Sequence, residues 1–309
     1  MNTHLPNKYL ITVIGPTAIG KTAMAIEIAK HYNCEIISAD SRQFFKEMAI
    51  GTAVPSKEEL AGAKHHFIQH ISIFKDYNVG DFERDAIAKL DALYQNNDFA
   101  VMVGGSGLYI DAVLKGFDDF PNVDMSVREL LIANYEEKGI EYLQQELQRL
   151  DPIHYENVAT GNPQRMMRAL EVCISSGKPY SSFLNIKKNS RQFIPIVIGL
   201  EAERETMYSR INQRVNIMVN EGLLDEAKAL YPNKKLNALQ TVGYRELFSY
   251  FDGEITLDFA LEEIKKNTRR FAKRQMTWFK RSETARWFDF KSPAAEVINY
   301  IDTQSNANI

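Results

Sequence analysis

One stretch near the N-terminus has residue types and spacing suited to binding phosphate groups. It matches the pattern G-x-x-x-x-G-K-[ST] in full. Glycines let the backbone wrap a phosphate, while the N–H groups and the following helix N-terminus supply positive potential. The pattern leaves open whether a nucleoside triphosphate or a diphosphate leaving group is bound. The stretch consists of Gly15, Pro16, Thr17, Ala18, Ile19, Gly20, Lys21 and Thr22, whose lysine adds a cation and whose threonine hydroxyl is a candidate Mg²⁺ ligand.

A carboxylate follows the second apolar run of the sequence. Asp40 ends the segment EIISAD and precedes Ser41, Arg42 and Gln43. An acid that faces a phosphate loop is a candidate general base or magnesium ligand. An N-cap of a helix explains an Asp at this position equally well. The third apolar run, AVMV, lacks the terminal Asp of a Walker B motif, which weakens an ATPase interpretation.

The elements that must position these residues follow an α/β pattern. Apolar runs at 9–14, 35–38, 100–103 and 194–200 alternate with helical segments, which predicts a parallel sheet. Ligands bind at the carboxyl ends of the strands in such sheets. We therefore expect the phosphate loop, Asp40 and Ser106 to converge on one site.

The remaining chain reads as largely helical. Residues 121–191 contain no strand-like run, so we predict a helical insertion there, within a catalytic core of residues 1–120 and 192–309. Further helices are predicted at 204–220, 223–230 and 257–280. The polar tail 303–309 is expected to be irregular.

Composition excludes several classes of protein. The chain has 309 residues, 45% of them hydrophobic, and a formal net charge of −3, so any nucleic-acid contact must come from local basic patches. Two distant cysteines without metal-ligand spacing suggest neither a zinc site nor a disulfide framework and fit a reducing cytoplasm. The N-terminus lacks the features of a signal peptide, and no run approaches the ~20 apolar residues of a membrane span.

Six motifs, in order, resemble those of the tRNA dimethylallyltransferase (tRNA isopentenyltransferase) family. The resemblance covers residues from about 10 to about 281 and implies a P-loop kinase-like sheet with a helical insertion. It also implies that the loop holds dimethylallyl diphosphate, not ATP, with Mg²⁺ as the cofactor. The implied acceptor is N6 of the adenosine at position 37, next to the anticodon, in tRNAs reading codons beginning with U. The motifs are GPTAIGKT, ISADSRQFFKEMAIGTAVP, VGGSGLY, NPQRMMRALEV, VGYRE and KRQMTWFKR.

The resemblance implies roles for individual residues. Asp40 accepts the proton of adenine N6 without needing a raised pKa, Ser106 bonds the diphosphate, and Arg214 neutralises its charge. Gln43 or Ser41 is a candidate to read the adenine edge, by hypothesis. Implied contacts with the tRNA anticodon stem-loop are Asp40, Ser41, Arg42, Gln43, Ser106, Arg128, Gln164, Arg165, Met166, Met167, Arg168, Gln240, Gly243, Tyr244, Arg245, Lys273, Arg274, Gln275, Thr277 and Lys280.

This sequence departs from the family pattern at two positions. Phe44 stands where members usually have Tyr, and Val54 where they usually have Lys, which removes one possible phosphate contact. Some eukaryotic members carry a C-terminal zinc finger, which this sequence lacks. We therefore expect a bacterial-type member. Separately, we expect the protein to act as a monomer.

Alternative functions remain open at this point. The phosphate loop alone permits a small-molecule kinase, and the core alone permits an adenylate dimethylallyltransferase acting on free nucleotides. The insertion and the basic C-terminal helix favour tRNA, although residues alone favour a solvated helix face with Trp278 in the core. A non-catalytic RNA-binding protein is disfavoured, because it would be expected to have a damaged phosphate loop or to lack the acid at the strand end. In this sequence the loop motif is complete and Asp40 is present.

Overall fold

The computed structural model describes residues 7–118, 120–184 and 191–307. Two compact units divide the chain, one formed by residues up to 114 and from 191 onward, the other by 115–190. The second unit thus begins at 115, where the sequence prediction placed the insertion at 121–191. Residues 1–6, 119, 185–190 and 308–309 of the predicted domains lie outside the described residues.

The first unit contains a six-stranded sheet in which every pairing is parallel, in the order β3-β2-β4-β1-β5-β6. The predicted α/β class is confirmed. The two edge strands were not predicted, because each is short and neither is a continuous apolar run. The strands are β1 (Tyr9–Ile14), β2 (Ile36–Ser38), β3 (His65–His66), β4 (Phe99–Val103), β5 (Ile194–Glu201) and β6 (Arg286–Asp289).

Helices cover both faces of this sheet and form the second unit. No helix in the described residues is long and apolar enough to cross a membrane. Short 3-10 helices occur at Tyr180–Phe183, Tyr231–Asn233 and Asn237–Leu239. The α-helices are α1 (Lys21–His31), α2 (Lys57–Gly62), α3 (Val79–Leu93), α4 (Gly107–Lys115), α5 (Met125–Lys138), α6 (Ile140–Leu150), α7 (Pro152–Asn157), α8 (Pro163–Ser176), α9 (Arg204–Asn220), α10 (Leu223–Leu230), α11 (Tyr244–Phe251), α12 (Leu257–Phe279) and α13 (Ala294–Asn306).

Strand β1 is central to the sheet and buried on both faces. Leu10 packs in a cluster with Phe82 of α3, whereas Ile11 belongs to the opposite cluster with Ile28 of α1. Because both faces are covered, the strand reads as a continuous apolar run. The phosphate loop follows the carboxyl end of β1 and is therefore attached to a buried, well-packed strand.

Helix α13 corrects the prediction of an irregular tail. Val297 and Ile301, four residues apart, are fully buried against the sheet, and Ser305 is also buried. Apolar residues at this spacing lie on one helix face, so packing holds the helix as far as Asn306. Polar composition alone did not reveal that face.

The second unit has its own apolar core. Leu143 and Leu147 of α6 pack with Met166 and Leu170 of α8. Helix α8 begins where the Asn162 side chain accepts a hydrogen bond from the Arg165 N–H, with a proline at its first position. This unit is thus a small helical bundle in which side chains cap the starts of α5, α7 and α8.

Candidate active site

The phosphate loop joins β1 to α1 in a conformation that glycine makes possible. Gly15 has a φ of +148°, and a Cβ there would lie 2.6 Å from the carbonyl oxygen of Leu200. Gly20 has a φ of +105° and caps α1. Ala18 is also left-handed, and its carbonyl accepts a hydrogen bond of 2.8 Å from Arg210 Nε.

Lys21 folds back over this loop. Its Nζ donates to the carbonyl of Pro16 at 2.7 Å. Burial lowers the pKa of Lys21 to about 8, with Asp40 raising it and Arg214 lowering it further. A bound anion restores a preference for the charged ammonium, so ligand binding and lysine protonation are coupled.

Asp40 follows β2 and precedes a turn, not a helix, so the N-cap explanation does not hold. Its Oδ1 accepts a hydrogen bond from the Arg42 N–H at 3.3 Å. Burial raises the pKa of Asp40, and Lys21, this N–H and Arg214 partly offset the rise. The mechanism implied by the sequence does not require a raised pKa for Asp40, but in the structure this pKa is raised. A carboxylate with a raised pKa is a stronger proton acceptor.

The segment that follows β4 lies against the segment that follows β2. The Ser106 hydroxyl accepts from the Ser41 N–H at 3.0 Å and shares a hydrogen bond of 3.1 Å with the Ser41 hydroxyl. A Cβ at Gly104 would lie 2.3 Å from the carbonyl oxygen of Ala39, so only glycine permits this approach. The structure therefore brings Ser106 next to the segment that carries Asp40.

A buried amide ties the phosphate loop to this edge. Gln275 of α12 accepts from the Thr17 N–H at 2.9 Å and donates to the carbonyl of Gly105 at 2.8 Å. Only 5% of its surface is exposed. One side chain thus satisfies a donor of the loop and an acceptor after β4, a role that the motif match did not reveal.

These residues surround a pocket of about 500 Å³ within the first unit. Its polar side includes Thr17, Asp40, Ser106 and Arg214, and the Arg214 Nη1 donates to Thr17 Oγ1 at 3.4 Å. Burial lowers the pKa of Arg214, although Asp40 raises it. The apolar side comprises Ile211, Val215, Met218, Phe271 and Trp278 among others. A pocket lined by both anion-binding and apolar side chains suits a hydrocarbon carried on a phosphate.

A smaller polar pocket of about 50 Å³ lies beside the first and is lined by Lys21, Thr22 and Ser38. Asp40 and Arg214 line both pockets. In the described part of the chain, no group of three or more His, Cys, Asp or Glu side chains could hold a metal ion. A metal here would depend on the Thr22 hydroxyl and on oxygens of the ligand itself.

Comparison with known proteins agrees with this geometry. Residues 43–282 match the IPP transferase family. The tRNA dimethylallyltransferase of Flavobacterium johnsoniae is 66% identical over 300 residues, covering 95% of this chain and 97% of that protein. This chain belongs to the tRNA dimethylallyltransferase family. Its members are transferases, and the family expectation is confirmed.

Solved structures of the tRNA dimethylallyltransferase family share the fold. The crystal structure of full-length tRNA isopentenylpyrophosphate transferase from Bacillus halodurans is 35% identical, with a TM-score of 0.72 and 97% of each chain covered. A eukaryotic dimethylallyltransferase acting on tRNA, 24% identical, gives a TM-score of 0.78 over 92% of this chain and 74% of that one. The P-loop kinase-like fold is therefore confirmed.

Several residues that the tRNA dimethylallyltransferase motifs assign to RNA contact lie at the surface. In the first unit, Lys280 forms an ion pair of 2.7 Å with Glu201, and its Nζ lies 3.9 Å from the centre of the Trp287 ring. In the second unit, Arg128 and Arg168 both pair with the buried Glu171, at 2.7 and 3.4 Å. Exposed members of the set are Gln164, Arg165, Arg168, Gln240, Arg245, Lys273, Arg274, Thr277 and Lys280.

Four residues of that set have buried side chains, which corrects their assignment as RNA contacts. Met166 and Met167 fill the core of the second unit, and Tyr244 is fully buried beside α10. Gln275 forms the bridge described above. Helix periodicity explains the error, because a motif on a helix includes residues of both faces.

The other residues next to Asp40 are held internally. Gln43 Nε2 donates to the carbonyls of Thr52 and Ala53, at 3.2 and 2.8 Å, and Arg42 Nη1 donates to those of Asn237 and Ala238. Reading of adenine by the Gln43 amide therefore requires these bonds to be shared or exchanged.

Two aromatic residues singled out from the sequence, Trp278 and Phe44, lie near the site. The sequence favours Trp278 in the core. The side chain is half-buried, donates from Nε1 to Asp111 at 2.8 Å and also lines the pocket. Phe44 is 1% exposed and stacks on Phe82, with ring centres 5.1 Å apart.

Replacing Gln275 by alanine is expected to weaken the binding of inorganic diphosphate roughly tenfold, because a loop N–H and a buried carbonyl lose their partner. Isothermal titration calorimetry measures this affinity. Gln213→Ala, an exposed glutamine on α9, is the matched control and should bind as the wild type does. Equal affinities for Gln275→Ala and the wild type would show that the bridge is dispensable.

Diphosphate binding is also expected to weaken as the pH rises through about 8, where free Lys21 loses its proton. Protonated lysine binds the anion, so the affinity falls on the alkaline side and not the acid side. In Lys21→Arg the guanidinium stays charged, and this step should vanish. Calorimetry on both proteins over the same pH range cancels the titration of diphosphate itself; identical pH profiles would contradict the assignment.

Proposed function

We propose that this chain transfers the dimethylallyl group of dimethylallyl diphosphate to N6 of adenosine 37 in tRNAs that read codons beginning with U. One observation carries the proposal: a single pocket is lined by Thr17 and Ala18 of the phosphate loop, by Arg214 and Asp40, and by apolar side chains. A donor with a diphosphate head and a five-carbon tail fits these surfaces.

The chemistry follows from the residues that line this pocket and the small polar pocket beside it. The N6 lone pair attacks C1 of the allyl group, the C1–O bond breaks, and diphosphate leaves with the bonding electrons. Loop N–H groups, Lys21, Ser106 and Arg214 stabilise the negative charge that grows on the departing oxygen. Asp40 takes the proton that N6 releases, which leaves a neutral secondary amine.

The apolar wall protects the reacting carbon. Allyl transfer builds positive charge on carbon as the C–O bond lengthens, and water would capture such a centre. Val215, Met218 and Phe271 line the pocket with apolar surface, which offers water no hydrogen-bond partner next to that carbon. Trp278 adds an aromatic face there.

We assign Mg²⁺ as the metal. The Thr22 hydroxyl and the substrate phosphates would hold it, since Mg²⁺ accepts few protein ligands and retains waters. Bound there, it would neutralise charge on the diphosphate. The small polar pocket beside Lys21 has the hydroxyl and carboxylate oxygens that such an ion prefers.

The acceptor is a tRNA anticodon stem-loop. Lys273, Arg274 and Thr277 form an exposed face of α12 directly beside Gln275, and phosphate contacts from such a face set register on RNA. Gln164, Arg165 and Arg168 give the second unit a similar exposed edge. Inside a stacked loop N6 is poorly accessible, so the target base has to be turned out into the pocket.

We place the reaction in the cytoplasm, where tRNA is the acceptor, and assign it to the monomer. Every residue of the proposed chemistry belongs to one unit of one chain. A small-molecule kinase is disfavoured because β4 ends without the acid that holds magnesium in many ATPases. Transfer to free AMP does not call for the exposed basic faces.

Incorporation of labelled dimethylallyl diphosphate tests the proposal. Wild-type protein with Mg²⁺ should label tRNA lacking the modification and leave AMP unlabelled. Asp40→Ala should lose at least about a hundredfold in kcat, the usual contribution of a positioned base. No label in either acceptor, with ATP consumed on a small molecule instead, would support the kinase.

The pH dependence of kcat/KM tests the role of Asp40 separately. Since a protonated carboxyl cannot accept the N6 proton, the rate should fall as the pH drops through the pKa of Asp40. Burial raises that pKa, so the fall should lie at a higher pH than an ordinary aspartate gives. Glu47→Gln, a change to an acid outside the pocket lining, should keep the wild-type profile; an acid limb at the ordinary aspartate pKa in both proteins would count against Asp40.

A further inference from the structure

Residues 49–53 form one wall of the pocket without belonging to a helix or a strand. Gly51, Thr52 and Ala53 line the pocket directly, and Thr52 also lines the small polar pocket. Ala53 has a φ of +52°, an unusual conformation for a residue with a Cβ. The Ala53 N–H donates to the carbonyl of Ile50 at 2.9 Å within the segment, and a further anchor lies outside it.

That anchor is the carboxylate of Glu226 on α10. Its Oε2 accepts the N–H groups of Ala49 and Ile50, at 3.0 and 2.8 Å, and its Oε1 accepts the Gly51 N–H at 2.9 Å. Oε1 also accepts the Tyr244 hydroxyl at 2.6 Å. One half-buried side chain thus satisfies three consecutive backbone donors, with charge-assisted bonds.

The side chain that completes this arrangement is Tyr244. A Cβ at Gly51 would lie 2.6 Å from its ring, so the wall packs directly on the tyrosine. Burial and the neighbouring Glu226 carboxylate raise the pKa of Tyr244, so its hydroxyl stays a donor. Glu226 itself is flanked by Leu223 and Ala227, both buried in the core of α10 and α11.

From the anchored wall, hydrogen bonds continue to the proposed base. Thr52 and Ala53 accept from the Gln43 amide, and the Gln43 N–H donates to the carbonyl of Asp40 at 3.0 Å. The Ser38 hydroxyl donates to Gln43 Oε1 at 3.3 Å. A shift of the wall therefore reaches the segment that carries Asp40.

We propose that Glu226 is a positioning residue that fixes the 49–53 wall relative to Asp40 and thereby sets the position of the acceptor adenine. This proposal rests on the proposed function. Glu226 does not line the pocket, so it acts through the wall and not on the substrate. Among the described residues, the side-chain hydrogen bonds at the phosphate loop join it to Gln275, Arg210 and Arg214 and not to the 49–53 wall, so diphosphate binding should not depend on Glu226.

A glutamine at this position keeps the shape and removes the function of the carboxylate. The amide has one acceptor oxygen, and its NH₂ group faces N–H donors that it cannot satisfy. Asp225→Asn is the matched control, since Asp225 is the exposed neighbour on the same helix and undergoes the same chemical change. Tyr244→Phe removes one of the four donors and gives a milder second variant.

Amide hydrogen exchange on the full-length protein tests the anchor without assuming any activity. Protection of residues 49–51 should fall at least tenfold in Glu226→Gln, fall less in Tyr244→Phe and stay unchanged in Asp225→Asn. Unchanged protection in Glu226→Gln would overturn the proposal, whether or not the protein proves to modify tRNA.

Kinetics then separate positioning from general destabilisation. In Glu226→Gln, kcat for tRNA labelling should fall roughly 10- to 100-fold, as expected for a misplaced reacting group, while diphosphate affinity stays at the wild-type value. A wild-type kcat in spite of lost protection would overturn the proposal, as would an equal loss of kcat and diphosphate affinity. If the wild type labels no acceptor, the proposed function fails and the exchange result alone judges the anchor.

Discussion

The site depends on one backbone constraint: the chain between β1 and α1 must turn its N–H groups towards a single point. Positive φ angles at Gly15, Ala18 and Gly20 achieve the turn; glycine adopts such angles readily, whereas Ala18 does so at a cost in free energy. Neighbours hold the loop from outside. Arg210 donates to the carbonyl of Ala18, and Gln275 accepts from the N–H of Thr17, so α9 and α12 both stabilise the conformation of the loop.

A second constraint comes from enclosing charges of both signs. Burial lowers the pKa of Lys21 and raises that of Asp40, while each opposes the shift of the other. As a result, the pKa values of this cation and this acid both lie closer to neutral pH than they would in water. Under the proposed function, a bound diphosphate favours the charged ammonium of Lys21, and the raised pKa makes the Asp40 carboxylate a stronger base for the adenine proton.

Sequence patterns predicted the parts of the molecule that obey local rules. The phosphate loop, the central strands and the long helices follow from glycine spacing and apolar periodicity, because these features depend on neighbouring residues. The bridge by Gln275 and the anchor at Glu226 join residues far apart in the chain, and no local pattern reports such contacts. Met166 and Met167 were assigned to RNA contact because they belong to a family motif, but their side chains are buried. A motif on a helix does not distinguish the buried face of α8 from the exposed one. Strands β3 and β6 are too short to give a period.

The central claim is that one pocket holds the donor diphosphate at the phosphate loop and the adenine amine at Asp40. The most direct measurement is a structure of the protein with an anticodon stem-loop and a dimethylallyl diphosphate analogue whose bridging oxygen is replaced by sulfur. We expect the diphosphate on the Gly15–Thr22 loop, the hydrocarbon against Val215 and Phe271, and adenine N6 within hydrogen-bond distance of Asp40. An analogue bound away from the loop, or an adenine whose N6 faces another side chain, would contradict the central claim.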